Sequence, residues 1–201
     1  MESVESNFTE VDGIRFETLV PKRVLVLPKR SLIEKLSYIR RHFFAPPLHP
    51  SPGYPVQIGI GITNNSDRPV NFKFHFALFP EIIQAESGEA IPPFGEGWLH
   101  PEQPLESDFC STKPGETISF FCEAKIYWIC GQKYGISIIF HETTFFFKSL
   151  IAGKYKLRLI YENQQKNSYF YDSFKKKTQE IEGLWTGEIL TPFVDISLVG
   201  L

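Results

Sequence analysis

Between Ile58 and Phe76 the chain alternates apolar and polar positions, halts at a polar stretch and alternates again: Ile58-Gly-Ile-Gly-Ile-Thr-Asn-Asn-Ser-Asp-Arg-Pro-Val-Asn-Phe-Lys-Phe-His-Phe76. A period of two marks a strand with one buried face, so this segment reads as two strands joined by a tight polar connection. Ile58, Ile60 and Ile62 share one face. Gly59 and Gly61 share the other, where the missing side chains let another group come close. Phe72, Phe74, Phe76 and Leu78 make the next inward stripe, which leaves His75 facing the surface.

The same period recurs along the chain. Ile14–Leu19 and Arg23–Leu27 are short strand candidates parted by Pro21. The Pro114-Gly-Glu116 turn launches Thr117–Ile129, in which Ile118, Phe120, Cys122, Ala124, Ile126 and Trp128 face inward. Gly135–Phe140 and Thr143–Phe147 follow as further strands, paired through His141-Glu142. Tyr155, Leu157, Leu159 and Tyr161 alternate after Gly153, and Leu184–Leu190 and Phe193–Val199 close the chain. One segment breaks the pattern. Ser31-Leu-Ile-Glu34 is a capping box, in which the Ser oxygen accepts from an early helix N–H while the Glu reaches back. Leu32, Leu36, Ile39 and Phe43 follow at helical spacing, predicting one short amphipathic helix near residues 32–43. The proline-rich run from Ala45 to Pro55 ends it. Residues 1–12 read as a loose tail, and residues 84–116 as a long excursion with few strands, anchored by Trp98 and Phe109. The expectation is a single all-β domain over residues 1–201.

Composition agrees with that class. The chain carries 19 Phe, 8 Tyr and 3 Trp against one Met, and aromatic side chains favour pleated, half-buried surfaces. Apolar residues make up 42% and charged residues 22%, an ordinary globular balance rather than a disordered one. The first ten residues are acidic and polar, without the basic start and apolar run of a secretory signal. No window approaches a membrane span. Cys110, Cys122 and Cys130 are an odd number, and on one strand Cys122 and Cys130 would stand about 26 Å apart at roughly 3.3 Å per residue. A reduced, cytoplasmic protein is the expectation, which deprives the Asn7-Phe-Thr9 and Asn64-Asn-Ser66 sequons of significance. Net charge is −2, yet residues 13–48 hold eight basic and two acidic side chains, whereas residues 81–123 hold nine acidic ones and only Lys113. The two regions either neutralise each other or form binding surfaces. No nucleic-acid motif accompanies the basic residues.

The Ala152-Gly-Lys-Tyr155-Lys-Leu157 segment resembles the tyrosine corner of immunoglobulin-like domains, in which a Tyr at the start of a strand bonds nearby backbone. Leu157 stands where that motif has its second core Cys. The Thr63-Asn-Asn-Ser-Asp-Arg-Pro69 turn, the Pro114-Gly-Glu116 turn and the Gly153-Lys-Tyr155 strand opening also resemble bacterial intracellular proteinase-inhibitor-type modules. The resemblance covers residues 56–162. It implies an immunoglobulin-like antiparallel β-sandwich and, because sandwiches host many functions, says little about activity.

Chemistry is sparse. His42, His49, His75, His100 and His141 are scattered, and no His-x-x-x-His or Cys-x-x-Cys spacing provides the converging ligands of a zinc site. No nucleophile elbow, phosphate loop or dinucleotide fingerprint is present, so no metal or other cofactor is expected. Cys122 sits on an apolar stripe and reads as an inert core thiol. The strongest functional candidate is Asn163–Lys177, a polar stretch carrying Tyr169, Phe170, Tyr171 and Phe174. Aromatic rings in such a stretch suit protein recognition, since Tyr offers large contact area at low entropic cost. The leading expectation is a non-catalytic module that binds a protein in the cytosol, with no nucleic-acid or membrane partner. Two alternatives stand beside it: an enzyme with a site assembled from His141, Glu142, Asp172 or His100, and a glycan-binding module using Trp98, Trp185 and Tyr171.

Overall fold

The computed structural model describes residues 7–27, 53–94, 96–98, 104–130, 132–140, 143–172 and 175–200. The fold is all-β. Its first strands are β1 (Thr9–Val11), β2 (Ile14–Leu19), β3 (Val24–Leu27), β4 (Tyr54–Asn64), β5 (Val70–Lys73), β6 (Leu78–Gln84), β7 (Ala90–Ile91), β8 (Glu96–Trp98) and β9 (Phe109–Thr112). Then come β10 (Thr117–Cys130), β11 (Lys133–Phe140), β12 (Thr143–Leu150), β13 (Gly153–Asn163), β14 (Ser168–Asp172), β15 (Lys177–Ile181), β16 (Gly187–Leu190) and β17 (Val194–Gly200). The helical content of the described residues is one 3-10 turn, Glu106–Asp108. The helix expected near residues 32–43 lies outside the described residues.

The strands form two large sheets. The first runs β1-β2-β4-β10-β11-β12-β8 and the second β3-β17-β13-β6-β7, with β16 also paired to β13. Neighbours are antiparallel, except that β3 runs parallel to β17. The anticipated hairpin between Phe140 and Thr143 is present as the β11–β12 pair. Residues 1–12 are not all tail: Thr9–Val11 pair with β2. The cause is the two-residue Asp12-Gly13 loop, both residues at positive φ (53° and 72°), the geometry that lets two strands turn back tightly on each other.

One apolar core lies where the inner faces of the two sheets meet. Ile58, Ile60 and Ile62 of β4 are buried as their period requires, and so are Tyr155, Leu157, Leu159 and Tyr161 of β13. Aromatic rings join the layers: Phe16 of β2 lies 5.7 Å from Tyr161 and 5.2 Å from Trp185. Phe74 stacks on Phe120 at 4.4 Å. Such pairs contribute about 0.5–1.5 kcal/mol each beyond area burial. On the outer face, a Cβ at Gly59 would stand 2.5 Å from the Phe120 carbonyl oxygen and 2.7 Å from the Phe121 ring. Glycine is what allows Phe121 to lie across the sheet there.

Buried polar groups fix the remaining geometry. Asn64 is fully buried, donating to the carbonyls of Arg68 and Thr112 while its Oδ1 accepts from Ser66. That makes the 63–69 connection a specified turn, and it removes the Asn64 sequon from solvent. Between the sheets, the Thr18 and Thr191 hydroxyls lie 2.5 Å apart and both accept from the Leu159 N–H at 3.1 Å. Leu159 sits between the part of β13 that pairs with β17 and the part that pairs with β16. The hydroxyls therefore supply the partner that no strand offers.

Candidate functional site

The polar stretch 163–177 contains strand structure. β14 and β15 form a two-stranded hairpin in the register Tyr169↔Glu180, Phe170↔Gln179, Tyr171↔Thr178. Alternation splits the aromatic residues between its faces. Ser168, Phe170 and Asp172 are buried, whereas Tyr169 is 55% and Tyr171 43% exposed. Phe170, expected among the binding residues, packs inward against Phe109 at 5.9 Å. Phe174 lies outside the described residues. The Tyr171 N–H donates to the Pro104 carbonyl and ties the hairpin to the segment before the 3-10 turn.

Asp172 sets the turn. Its Oδ1 accepts from the Lys175 N–H at 2.9 Å, its Oδ2 accepts from the Gln179 amide, and the Lys175 ammonium lies 3.2 Å away. A carboxylate that bonds backbone a few residues on is a local turn-former. Asp172 is thus engaged in holding the hairpin. On the outer face, the bond between Tyr169 and Glu180 pushes the phenol above its usual value, so at neutral pH Tyr169 presents an intact hydroxyl.

Of the other sequence candidates, only Trp185 has a side chain among the described residues. Trp185 packs into the core 5.2 Å from Phe16 and 5.7 Å from Tyr161. The side chain of Trp98, and His100, His141 and Glu142, lie outside the described residues. No group of three or more His, Cys, Asp or Glu side chains able to hold a metal ion occurs among the described residues. The described residues include no helix long and apolar enough to cross a membrane. Cys122 is a free thiol whose Sγ donates to the Ile58 carbonyl at 3.0 Å, and burial pushes it up to about 12. A thiol so far from ionising is a poor nucleophile.

A second constellation was not anticipated. His75 was expected at the surface but is 6% exposed, with Nδ1 3.4 Å from Oδ2 of the buried Asp108. The reversal comes from the backbone. β5 ends at Lys73, and the chain turns through residues 75–77 with Phe76 at φ +53°. A bulky residue in the left-handed region is an outlier, and here it turns His75 in and leaves Phe76 half-buried. The Asp108 carboxylate also accepts from the Leu105 N–H at 2.8 Å. Lys73, Phe79 and residues 162–165 close a cleft of about 320 Å³ beside the imidazole. Burial holds the Lys73 ammonium below its usual value, with Asp108 partly offsetting the effect. The signal that could have found the pair was Asp108 itself, at the end of an acidic stretch of sequence, but its distance from His75 in the chain carries no periodicity.

Compared with known protein families, curated proteins and solved structures, the chain matches none.

Proposed function

We propose that this chain is an immunoglobulin-like β-sandwich that acts as a non-catalytic binding module, taking a protein partner in the cytosol through the Tyr169/Tyr171 face of the β14–β15 hairpin. The observation that carries the reading is the division of rings on β14: two tyrosines outward, one phenylalanine inward, on a turn held by Asp172. Rings presented on a fixed hairpin lose little entropy on binding, and aromatic anchors contribute a disproportionate share of interface energy. The immunoglobulin-like assignment is supported by the Tyr155 hydroxyl. It donates to the Ile151 carbonyl and accepts from the Ile151 N–H, both at 3.0 Å, four residues upstream, as a tyrosine corner does. The order β3-β17-β13-β6-β7 facing β2-β4-β10 also agrees with that layout. Cys110 and Cys122, both free thiols, fit a reducing compartment.

The test is the double substitution Tyr169→Ser/Tyr171→Ser in the full chain, with Phe170→Ala as the internal control. The double variant is expected to melt within about 4 °C of the parent, since each exposed position changes stability by about 0.5 kcal/mol or less. It is also expected to lose the partners that the immobilised parent retains. Phe170→Ala is expected to cost about 3–5 kcal/mol. Unchanged capture by the tyrosine variant, or a melting point lowered as far as in Phe170→Ala, overturns the reading.

A further inference from the structure

We infer that the cleft beside His75 is a binding site for a small hydroxyl-rich molecule of monosaccharide size. The cleft is distinct from the tyrosine face. It is a cleft open to solvent, lined by Lys73, His75, Phe76, Phe79 and the Glu162–Gln165 turn, with a volume of about 320 Å³, at the lower end of the range for small-ligand pockets.

Three observations set the chemistry. First, the polar groups are mixed in kind. The Lys73 ammonium donates, the Glu162 carboxylate accepts, and the Gln164 and Gln165 amides do both. A hydroxyl also does both, so a polyol can satisfy such a set where a simple anion or cation would face a like charge. Second, those groups already hold each other in place. The Lys73 Nζ donates to Gln165 Oε1 at 2.9 Å, and Gln164 Nε2 donates to Glu162 Oε1 at 2.7 Å. Asn163 Nδ2 donates to the Gln165 and Trp185 carbonyls and fixes the turn that carries them. Third, half-buried Phe76 and Phe79 give the cleft an apolar wall, which matches the C–H face of a sugar ring.

His75 supplies the fixed point. Its Nδ1 faces Asp108, so the imidazole keeps Nε2 as its other polar atom. The imidazole itself lines the cleft, held beside that carboxylate at 3.4 Å. The positive φ of Phe76 holds the ring and the imidazole in this arrangement, their centroids 4.1 Å apart. Non-glycine residues in that region persist where surrounding structure over-determines them, and they cluster at ligand sites. The low Lys73 pKa fits the same picture, because an incompletely compensated ammonium gains from a neutral oxygen ligand that replaces lost water.

The test is a titration of the isotope-labelled full chain, followed by nuclear magnetic resonance, with glucose, galactose, mannose and N-acetylglucosamine as probes. Sodium acetate and tetramethylammonium chloride serve as charged controls. The expected result is a saturable shift of the Lys73, His75 and Gln165 signals by at least one sugar. A dissociation constant of roughly 1–10 mM suits so small a ligand in an open cleft. Gln165→Ala, at an exposed position, is expected to weaken that binding about fivefold or more with the rest of the spectrum unchanged. His75→Gln, which keeps an amide acceptor, is expected to retain more of it than His75→Phe. Absence of a saturable shift with all four sugars, equal response to acetate or tetramethylammonium, or undiminished binding by Gln165→Ala would each overturn the assignment.

Discussion

The Thr18–Thr191–Leu159 network makes a quantitative prediction about how the two sheets are joined. Thr191 Oγ1 donates to the Leu159 carbonyl at 2.7 Å, and the same carbonyl accepts the Thr191 N–H at 3.1 Å. The Leu159 N–H has two acceptors, Thr18 Oγ1 and Thr191 Oγ1, each at 3.1 Å. Replacing either threonine by valine keeps the shape of the side chain and leaves that N–H one acceptor. Each single variant is expected to lose about 1 kcal/mol, the net contribution of a typical hydrogen bond. The double variant strands the N–H in a dry site, where an unsatisfied donor costs about 1–3 kcal/mol more. Its total loss should therefore be about 3–5 kcal/mol, exceeding the sum of the singles by at least ~1 kcal/mol. Urea titration of the four proteins at a common m-value reads this coupling directly. For a domain of this length the double variant should melt about 6–20 °C lower. Strict additivity would show that water or a backbone shift satisfies Leu159, and that the hydroxyls do not join the layers.

The remaining predictions concern the corner, the thiol and the sheet surface. Tyr155→Phe removes both bonds to Ile151 and is expected to cost about 1 kcal/mol in a denaturant titration. Leu157→Ala, at a fully buried position, should cost about 2–5 kcal/mol; a corner variant costing as much would point to packing rather than to the hydroxyl. The Cys122 thiol is raised from 9.0 to about 12 in the folded chain, so above pH 9 the unfolded chain releases a proton that the folded chain keeps. Its stabilisation is complete below pH 9 and declines by about 1.4 kcal/mol per pH unit from there towards pH 12. Cys122→Ala should flatten that part of the alkaline stability profile, and an unchanged slope would refute the assignment. Gly59→Ala drives a methyl group against the Phe120 carbonyl and the Phe121 ring and should destabilise by about 1–3 kcal/mol, as overpacking does; Phe121→Ala in the same chain should relieve part of that cost.

Where expectation and structure part, the reason is traceable to particular residues. The 63–69 connection was legible as polar, and Asn64 at its centre explains why it has one shape. Its two flanking strands, however, do not pair with each other: β4 lies between β2 and β10, while β5 pairs with β9. The stretch 163–177 was legible as aromatic-rich but not as a hairpin, because Tyr169, Phe170 and Tyr171 put rings on both faces and erase the polar–apolar contrast that marks a strand. Pairing with Gln179 and Glu180 decided which rings turned out. The charge asymmetry had a local answer in part: Glu81 pairs with Arg158 across β6 and β13, and Arg15 lies 3.6 Å from Glu17 on its own strand.

The sequence by itself determined the all-β class, most strand positions and the burial of Ile58, Ile60, Ile62, Leu157 and Leu159. Those follow from the two-residue period of an extended chain, which neighbouring residues alone encode. The bonds of Tyr155 to Ile151, four residues away, are short-range too, whereas the Asp12-Gly13 turn lies at the end of a stretch that reads as tail. Only the tertiary structure decided that His75 faces Asp108, that Phe170 is buried beside exposed tyrosines, and that Thr18 and Thr191 meet at Leu159. Each of these joins residues far apart in the chain, and the first also depends on a backbone departure, Phe76 at positive φ. Local pattern fixes which face of a strand is apolar. What that face meets is set by the packing of the whole chain, because a buried polar group must find its partner wherever the fold provides one.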